Sequence, residues 1–199
     1  PGFGRIDLSR LRVANSGGMA VQRSVAERWL ARTGCPIVEG WGLTEATAGV
    51  TCNRVDVPEW SGTVGLPFPG CEIDIRDLHD RPASVGEPGE VVVRGPVVMA
   101  GYWRRPKETA HAFTADGWLR TGDIGVMDAK GELRIVDRKK DMIIVSGFNV
   151  FPNEIEDVAT QHPGVGEAAA SGVADDKSGE AVKLFVVRRD PALTEEELA

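Results

Sequence analysis

A strand–helix–strand pattern in the first forty residues restricts the fold of this chain more than any other feature. The apolar run at 11–14 predicts a strand, and the apolar spacing of residues 21–33 predicts a helix that ends at Gly34. The segment "CPIVE" at 35–39 predicts the next strand. Two strands joined by a helix normally form a parallel pair, so an α/β fold is expected. Three apolar side chains share one face of the predicted helix: Val21, Val25 and Trp29.

The pattern changes after Gly62, where short strands follow one another without helices. Residues 71–77 and 90–95 read as paired strands, and residues 124–138 predict a hairpin that closes at 129–131. This middle part is expected to be antiparallel and partly barrel-like.

A dense charge run at 137–141 marks the predicted domain boundary. After it we expect a strand at 142–147, a helix at 152–162 and two strands at 165–173 and 180–190. The buried face of that helix is predicted to hold Ile155, Val158 and Ala159, with Pro163 ending it.

Composition narrows the class of protein. The 23 basic and 30 acidic residues give a net charge of −7, which disfavours a nucleic-acid partner. Three cysteines without metal-ligand spacing predict reduced thiols inside a cell, and no apolar run is long enough to span a bilayer. The chain begins at Pro1, and a helix-start signal at 194–197 is cut off at Ala199, so we expect a fragment.

The segment "GWGLTEATAGV", from Gly40 to Val50, carries the first candidate site. The Trp41 ring beside a glycine can stack on a flat base, because Gly42 lets the backbone approach closely. The Thr44 hydroxyl can donate to a phosphate oxygen, and the Glu45 carboxylate is a ligand type that suits Mg²⁺. The alternative is a surface turn in which Thr44 is a helix N-cap.

Five further residues are candidates for binding a nucleotide or another ligand. Asp123 follows a predicted Thr-Gly turn and can accept from two vicinal hydroxyls, with Arg138 approaching the same group; the alternatives are an Asx turn and a solvated hairpin end. Gly147, in an otherwise apolar extended stretch, lets a narrow ligand pass or marks a bulge. The pair Gly17 and Gly18 after the first strand can face a nucleobase edge.

Other chemistries lack their signatures. The histidines His79, His111 and His162 lie in unrelated contexts without a metalloprotease motif. The nucleophile elbow, the dinucleotide fingerprint and the GxxxxGK[ST] phosphate loop are absent from the sequence.

Several motifs in this order carry a family resemblance: "SGG", "GWGLTEAT", "GYWRRPKET", "DGWLRTGDIG" and "RIVDRKKDMIIVSGFNVFPNEIE". They resemble the adenylate-forming superfamily of acyl-CoA synthetases, adenylation domains and firefly-type luciferases. The segments "DRKKDMIIVSGFNVFPNEIED", "QHPGV" and "SGEAVKLFVV" are most similar to bacterial long-chain fatty-acid–CoA ligases.

The resemblance implies ATP-dependent formation of an acyl-adenylate, followed by attack of the CoA thiol and release of AMP. Trp41 would stack on adenine, with Gly17, Gly18 and Gly42 lining the site. Thr44 would hold phosphate, and Glu45 would bind Mg²⁺.

The remaining roles implied by the resemblance concern the sugar and the second half-reaction. Asp123 would hold the ribose hydroxyls with help from Arg138. Lys140 would lie at the hinge on which a small domain rotates, and Gly147 would line the path of the CoA arm.

The implied fold is mixed α/β. Residues 1–137 would be the end of the large AMP-binding domain, a sheet plus a barrel-like subdomain, and 138–199 the start of a small, mobile α+β domain. Fatty acid, ATP and CoA would be the substrates of a cytoplasmic enzyme. Peripheral contact with the inner face of the membrane and a homodimer stay open.

The sequence departs from the family at three points. The upstream phosphate-gripping loop and the C-terminal lysine of relatives are not among these residues, so the chain alone is expected to be inactive. The position of Trp41 is more often tyrosine in relatives. A ligase for another carboxylate (aryl, luciferin-like or amino acid) and a noncatalytic nucleotide-binding fragment remain alternatives.

Overall fold

A computed structural model of the chain describes Phe3, residues 6–57 and residues 59–198. The described residues form strands and short helices, which confirms the mixed α/β class. The helices are α1 (Arg23–Thr33), α2 (Pro106–Ala112) and α3 (Pro152–Gln161). The strands are β1 (Ala14–Ser16), β2 (Ile37–Trp41), β3 (Thr51–Cys52), β4 (Leu66–Pro67), β5 (Glu72–Arg76), β6 (Gly89–Arg94), β7 (Leu119–Met127), β8 (Leu133–Arg138), β9 (Ile143–Val145), β10 (Phe148–Val150), β11 (Val165–Asp175) and β12 (Gly179–Arg188).

The chain divides into two compact units. The first holds the described residues up to Thr121 together with Gly125–Ile135. The second holds Gly122–Ile124 together with the described residues from Val136 onward. The predicted domain boundary between residues 137 and 138 stays a prediction. No helix in the described part of the chain is both long and apolar enough to cross a membrane.

The first sheet has the order β1-β2-β3-β4 and contains the predicted parallel pair. The strand predicted at 11–14 is wrong in its bounds, because β1 covers Ala14–Ser16 and pairs with Ile37–Glu39. Val13 is 50% exposed and lies before the first residue with a pairing partner, so apolar character alone misplaced the strand. The second strand likewise begins later than predicted and ends at Trp41.

Helix α1 ends as predicted, with the Gly34 N–H donating to the Leu30 carbonyl at 2.8 Å. Its buried residue is Ala26, however, and Val25 is 39% exposed. The predicted place of Val25 on the buried face is therefore wrong, whereas Val21 and Trp29 are half-buried.

The middle sheet has the order β5-β6-β7-β8, and β5 and β6 are antiparallel as predicted. The turn at 128–131 joins β7 to β8, with the Gly131 N–H donating to the Asp128 carbonyl. Val64 and Gly65 exchange backbone hydrogen bonds with Leu133 at 2.7 and 3.0 Å. These bonds link the segment before β4 to β8, so the two sheets are partly closed on one another.

The third sheet has the order β10-β9-β12-β11, with helix α3 packed against β11. Ala159 is buried on α3, but Val158 is 68% exposed, so its predicted place in the buried face is wrong. The helix starts with a proline, as predicted, and ends at Gln161. The predicted helix start at Thr194 forms only a turn in the described residues, with the Glu197 carboxylate accepting from the Thr194 N–H at 3.0 Å; Ala199 lies outside them.

The extended stretch predicted around Gly147 is instead a hairpin. Strands β9 and β10 pair Val145 with Phe148 across a two-residue turn. Ser146 and Gly147 both have positive φ, 52° and 85°, as this tight hairpin turn requires. Glycine is needed there for the turn geometry itself.

Candidate functional site

The segment from Gly40 to Val50 folds into a closed loop at the end of β2. Trp41 is the last residue of the strand, and its carbonyl accepts from the Val50 N–H at 2.9 Å. Inside this closure, residues Thr44–Ala46 form a short 3-10 helix. Thr47 and Ala48 follow with φ of 55° and 70°, a conformation that costs free energy for residues other than glycine.

Gly42 is the residue that this loop shape requires. A Cβ built at Gly42 would overlap the Ala48 carbonyl oxygen, which is backbone and cannot rotate away. The glycine therefore serves close packing of the loop on itself. The role predicted for Gly42 from the sequence, the close approach of a ligand, stays a prediction.

Trp41 has a structural role in addition to its predicted role in binding. Its half-buried ring packs against two hydrophobic clusters, one built around Val50 and Val93 and the other around Val91 and Leu133. Stacking on adenine stays a prediction, and it would use a ring that the protein core already holds in place.

Thr44 is exposed at the start of the 3-10 helix, and Glu45 is half-buried beside it. The Tyr102 hydroxyl donates to Glu45 Oε1 at 2.7 Å. This bond raises the pKa of Tyr102, because the carboxylate stabilises the protonated phenol. No role was predicted for Tyr102 from the sequence. It is the only tyrosine of the chain and lies within "GYWRRPKET", and this could have marked it as a candidate site residue.

The Glu45 carboxylate is of a ligand type that would suit Mg²⁺ held jointly with the phosphates of a nucleotide. Within the described residues, no cluster of three or more histidine, cysteine or acidic side chains could hold a metal. Mg²⁺ is commonly held by one or two carboxylates plus substrate phosphates and water. A single carboxylate next to an exposed threonine hydroxyl meets that requirement once phosphates are present.

The glycines after β1 lie against the same loop. A Cβ built at Gly17 would come within 3.2 Å of the Gly40 carbonyl oxygen, so the two backbones are in close contact. Gly18 follows with φ of 85° and has open space around it. The structure thus brings Gly17 together with the loop that carries Trp41 and Glu45.

A buried carboxylate that the sequence argument missed supports this region. Glu39 is 6% exposed on β2, and its Oε2 accepts from the Val21 N–H at 3.2 Å. The Trp60 indole N–H donates to the Val21 carbonyl at 3.0 Å. Burial raises the pKa of Glu39. Glu39 belongs to a strand that was predicted from its apolar residues. Its charge within "CPIVE" was therefore the only sign that it could have a role in the site.

Asp123 is held in a strand. The prediction that it follows a Thr-Gly turn is wrong, because β7 runs without interruption from Leu119 to Met127. Asp123 is 7% exposed, and Arg138 Nε lies 3.3 Å from Asp123 Oδ1. The Lys139 N–H donates to the Gly122 carbonyl at 2.8 Å, which keeps the end of β8 beside this part of β7.

The turn after β8 leads into a cleft of about 390 Å³ in the second unit. Lys140 and Asp141 line it together with Glu156 and Glu180. Asp137 also lines it and accepts from the Asn153 N–H at 3.0 Å, which binds the first turn of α3 to the end of β8. Gly147 is not among the residues of this cleft.

Comparisons with known proteins agree with the motifs. A family model described as "AMP-binding enzyme" matches residues 3–103, just over half of the 199 residues. The chain belongs to the AMP-binding enzyme family. A second model, "AMP-binding enzyme C-terminal domain", matches residues 154–199. The resemblance predicted from the motifs is confirmed.

The chain is similar to individual members of the AMP-binding enzyme family. It is 57% identical, over 98% of its length, to a long-chain-fatty-acid–CoA ligase from Escherichia coli O157:H7. It superimposes on the amide bond synthetase McbA from Marinactinospora thermotolerans with a TM-score of 0.90 and 40% identity, covering 100% of the chain and 40% of McbA. For ATP-bound MatB from Rhodopseudomonas palustris the TM-score is 0.89 at 36% identity, covering 94% of the chain and 37% of MatB. The chain spans 35% of the length of the Escherichia coli ligase.

Proposed function

We propose that the chain is part of a long-chain fatty-acid–CoA ligase. This enzyme would join a fatty acid to ATP as an acyl-adenylate, release pyrophosphate, and pass the acyl group to the CoA thiol with release of AMP. The observation that carries the proposal is the 57% identity, over 98% of the chain, to a ligase of that name.

The loop between Gly40 and Val50 supports the nucleotide part of this proposal. Trp41 would present a ring face to adenine, and Thr44 would donate to a phosphate oxygen. Mg²⁺ bound at Glu45 would supply positive charge to the phosphates. The contribution of the protein is to hold these groups in one closed loop, which lowers the entropy cost of binding.

Asp123 and Arg138 support recognition of a ribose. A buried carboxylate can accept hydrogen bonds from two vicinal hydroxyls, and hydrogen bonds to charged groups contribute about 1.5–3 kcal/mol each. The mostly exposed Arg138 side chain, with 64% of its surface accessible, would be free to turn toward a phosphate or the sugar.

Lys140 and Gly147 keep their predicted roles as proposals. Lys140 lies in a turn rather than in a strand, which suits a residue that must change its backbone angles. Gly147 lies in a tight hairpin turn, and its backbone groups would face a passing CoA arm. A cytoplasmic location, contact with the inner face of the membrane, and a homodimer are likewise proposals.

A ligase for a different carboxylate, or with a different acceptor, is the second candidate. The match to an amide bond synthetase covers 100% of the chain at 40% identity, below the 57% identity to the fatty-acid ligase. We rank the fatty-acid ligase first on that difference. A noncatalytic nucleotide-binding fragment would bind AMP without turnover.

The full-length protein, incubated with ATP, Mg²⁺ and CoA, tests the proposal. We expect AMP and a thioester to form with palmitate, and kcat/KM to be at least tenfold higher, roughly 1.4 kcal/mol, than with benzoate. Replacing CoA by a primary amine should give no product. Faster turnover of benzoate, or an amide product, would identify the second candidate instead. The expected inactivity of the 199 residues alone is checked by the same assay.

A further inference from the structure

The hydroxyl of Tyr102 reaches across from a distant segment to the proposed metal ligand. It donates to Glu45 Oε1 at 2.7 Å, although the two residues are 57 positions apart in the sequence. We propose that Tyr102 is a positioning residue that aims the Glu45 carboxylate at the metal–nucleotide complex. This inference rests on the proposed function.

The backbone of Tyr102, just before α2, is itself fixed by bonds to that helix. Its N–H donates to the Thr109 hydroxyl at 2.9 Å, and that hydroxyl donates to the Arg105 carbonyl at 2.8 Å. A Cβ built at Gly101 would lie 2.6 Å from the Thr109 side chain, so the two segments are packed tightly. The backbone that carries the phenol is therefore fixed in place, although 38% of Tyr102 is exposed.

The same segment also holds the backbone around Glu45. The Met99 N–H donates to the Glu45 carbonyl at 2.8 Å, and the Thr47 hydroxyl donates to the Val97 carbonyl at 2.7 Å. These two bonds fix the main chain but leave the carboxylate free to turn about its side-chain bonds. The Tyr102 bond is what acts on the carboxylate itself.

A phenol is well suited to this task. It is a neutral donor, so it orients the carboxylate without cancelling the negative charge that a cation requires. It uses Oε1, and among the described residues no hydrogen bond to Oε2 is seen. Loss of an outer hydrogen-bond partner of a metal ligand typically costs 10–100-fold in metal affinity or activity.

Calorimetric titration of the full-length protein separates this role from general support of the fold. Tyr102→Phe keeps the ring and removes only the donor. We expect about 10–100-fold weaker binding of ATP with Mg²⁺, and unchanged binding of AMP in the presence of EDTA. The matched control is Trp103→Phe, at a neighbouring ring that is 83% exposed, which should bind both nucleotides as the wild type does.

A double substitution checks that the effect passes through Glu45. Because Tyr102 acts only on that carboxylate, Tyr102→Phe should cause no further loss of Mg²⁺–ATP affinity in a Glu45→Gln background. Unchanged Mg²⁺–ATP affinity in Tyr102→Phe would overturn the inference, and so would an equal loss of AMP affinity. If the wild type binds neither nucleotide, the proposed function and the inference both fail.

Discussion

The Arg138 guanidinium lies beside the buried Asp123 carboxylate, with 3.3 Å between Nε and Oδ1, and yet 64% of the arginine side chain is accessible to solvent. The aspartate is thus held in a strand while its partner can leave. The pair joins a buried group to an exposed one, so its contribution lies between the about 0–1 kcal/mol of a fully exposed pair and the larger cost of removing the partner of a buried charge. Because the arginine is the accessible member, it is the one that can adjust to a bound group.

Arg138→Ala should lower stability by only about 1–2 kcal/mol, because the buried Asp123 carboxylate loses this cation while the arginine itself is mostly exposed. It should weaken AMP binding by at most about tenfold, because an exposed charge is well screened by water. Arg138→Lys should retain part of the affinity, because the charge remains but the planar donor group is lost. Thermal unfolding and calorimetry measure the two effects. A large fall in the unfolding temperature would show that the arginine is structural.

Gly42→Ala should disrupt the closed loop. The added Cβ would overlap the Ala48 carbonyl oxygen, and overpacking of this kind typically costs about 1–3 kcal/mol. We expect AMP binding to be lost together with that stability, as measured by urea unfolding and calorimetry.

The matched control for that substitution is Ala48→Gly. It changes the residue that supplies the carbonyl oxygen, and it suits the φ of 70° at that position. Its stability should stay within about 1 kcal/mol of the wild type. If Gly42→Ala binds AMP normally, the loop tolerates a side chain and its role in shaping the site is wrong.

Glu39→Gln should change how stability depends on pH. Burial raises the pKa of Glu39 in the folded protein, so its contribution to stability is present below the unfolded pKa and is lost as pH rises through the folded pKa. Glutamine carries no charge and keeps an acceptor for the Val21 N–H. As pH rises above the pKa that Glu39 has in the unfolded chain, the variant should therefore lose less stability than the wild type.

Urea unfolding at several pH values measures this difference. The control is Glu167→Gln, at an exposed position on β11, which should follow the wild-type profile. Identical pH profiles for Glu39→Gln and the wild type would contradict the assigned cost of burying this carboxylate.

Lys140→Pro should impair one half-reaction far more than the other. The turn that contains Lys140 would have to change its backbone angles between the two steps, and proline fixes φ. In the described residues, no backbone hydrogen bond from the Lys140 N–H is seen, so little folding stability should be lost. Pyrophosphate release and thioester formation, assayed separately against Lys140→Ala, test this; equal losses would remove Lys140 from the hinge.

Local patterns predicted the elements of the fold well. The helix ending at Gly34, the antiparallel pair of β5 and β6 and the helix beginning at Pro152 were all marked by residues that act within a few positions. Errors arose where pairing with distant residues sets the bounds. The register with Ile37–Glu39 starts β1 at Ala14, which the sequence of that strand alone does not reveal.

The candidate site was predicted only in part for the same reason. Trp41, Thr44 and Glu45 are adjacent in sequence, so a motif displays them together. Tyr102 contacts Glu45 across 57 positions, and the buried state of Glu39 depends on the packing of Val21 and Trp60 around it. Contacts of this kind follow from the tertiary fold, which single-sequence patterns do not specify.

Calorimetric titration of AMP into the full-length wild-type protein and into Asp123→Ala tests the central claim, that this chain binds a nucleotide through its ribose. Two hydrogen bonds to a buried carboxylate contribute about 1.5–3 kcal/mol each. We therefore expect saturable AMP binding by the wild type and at least about a hundredfold loss in the variant, with little change in folding. Equal affinity in the two proteins, or no binding by the wild type, would contradict the account.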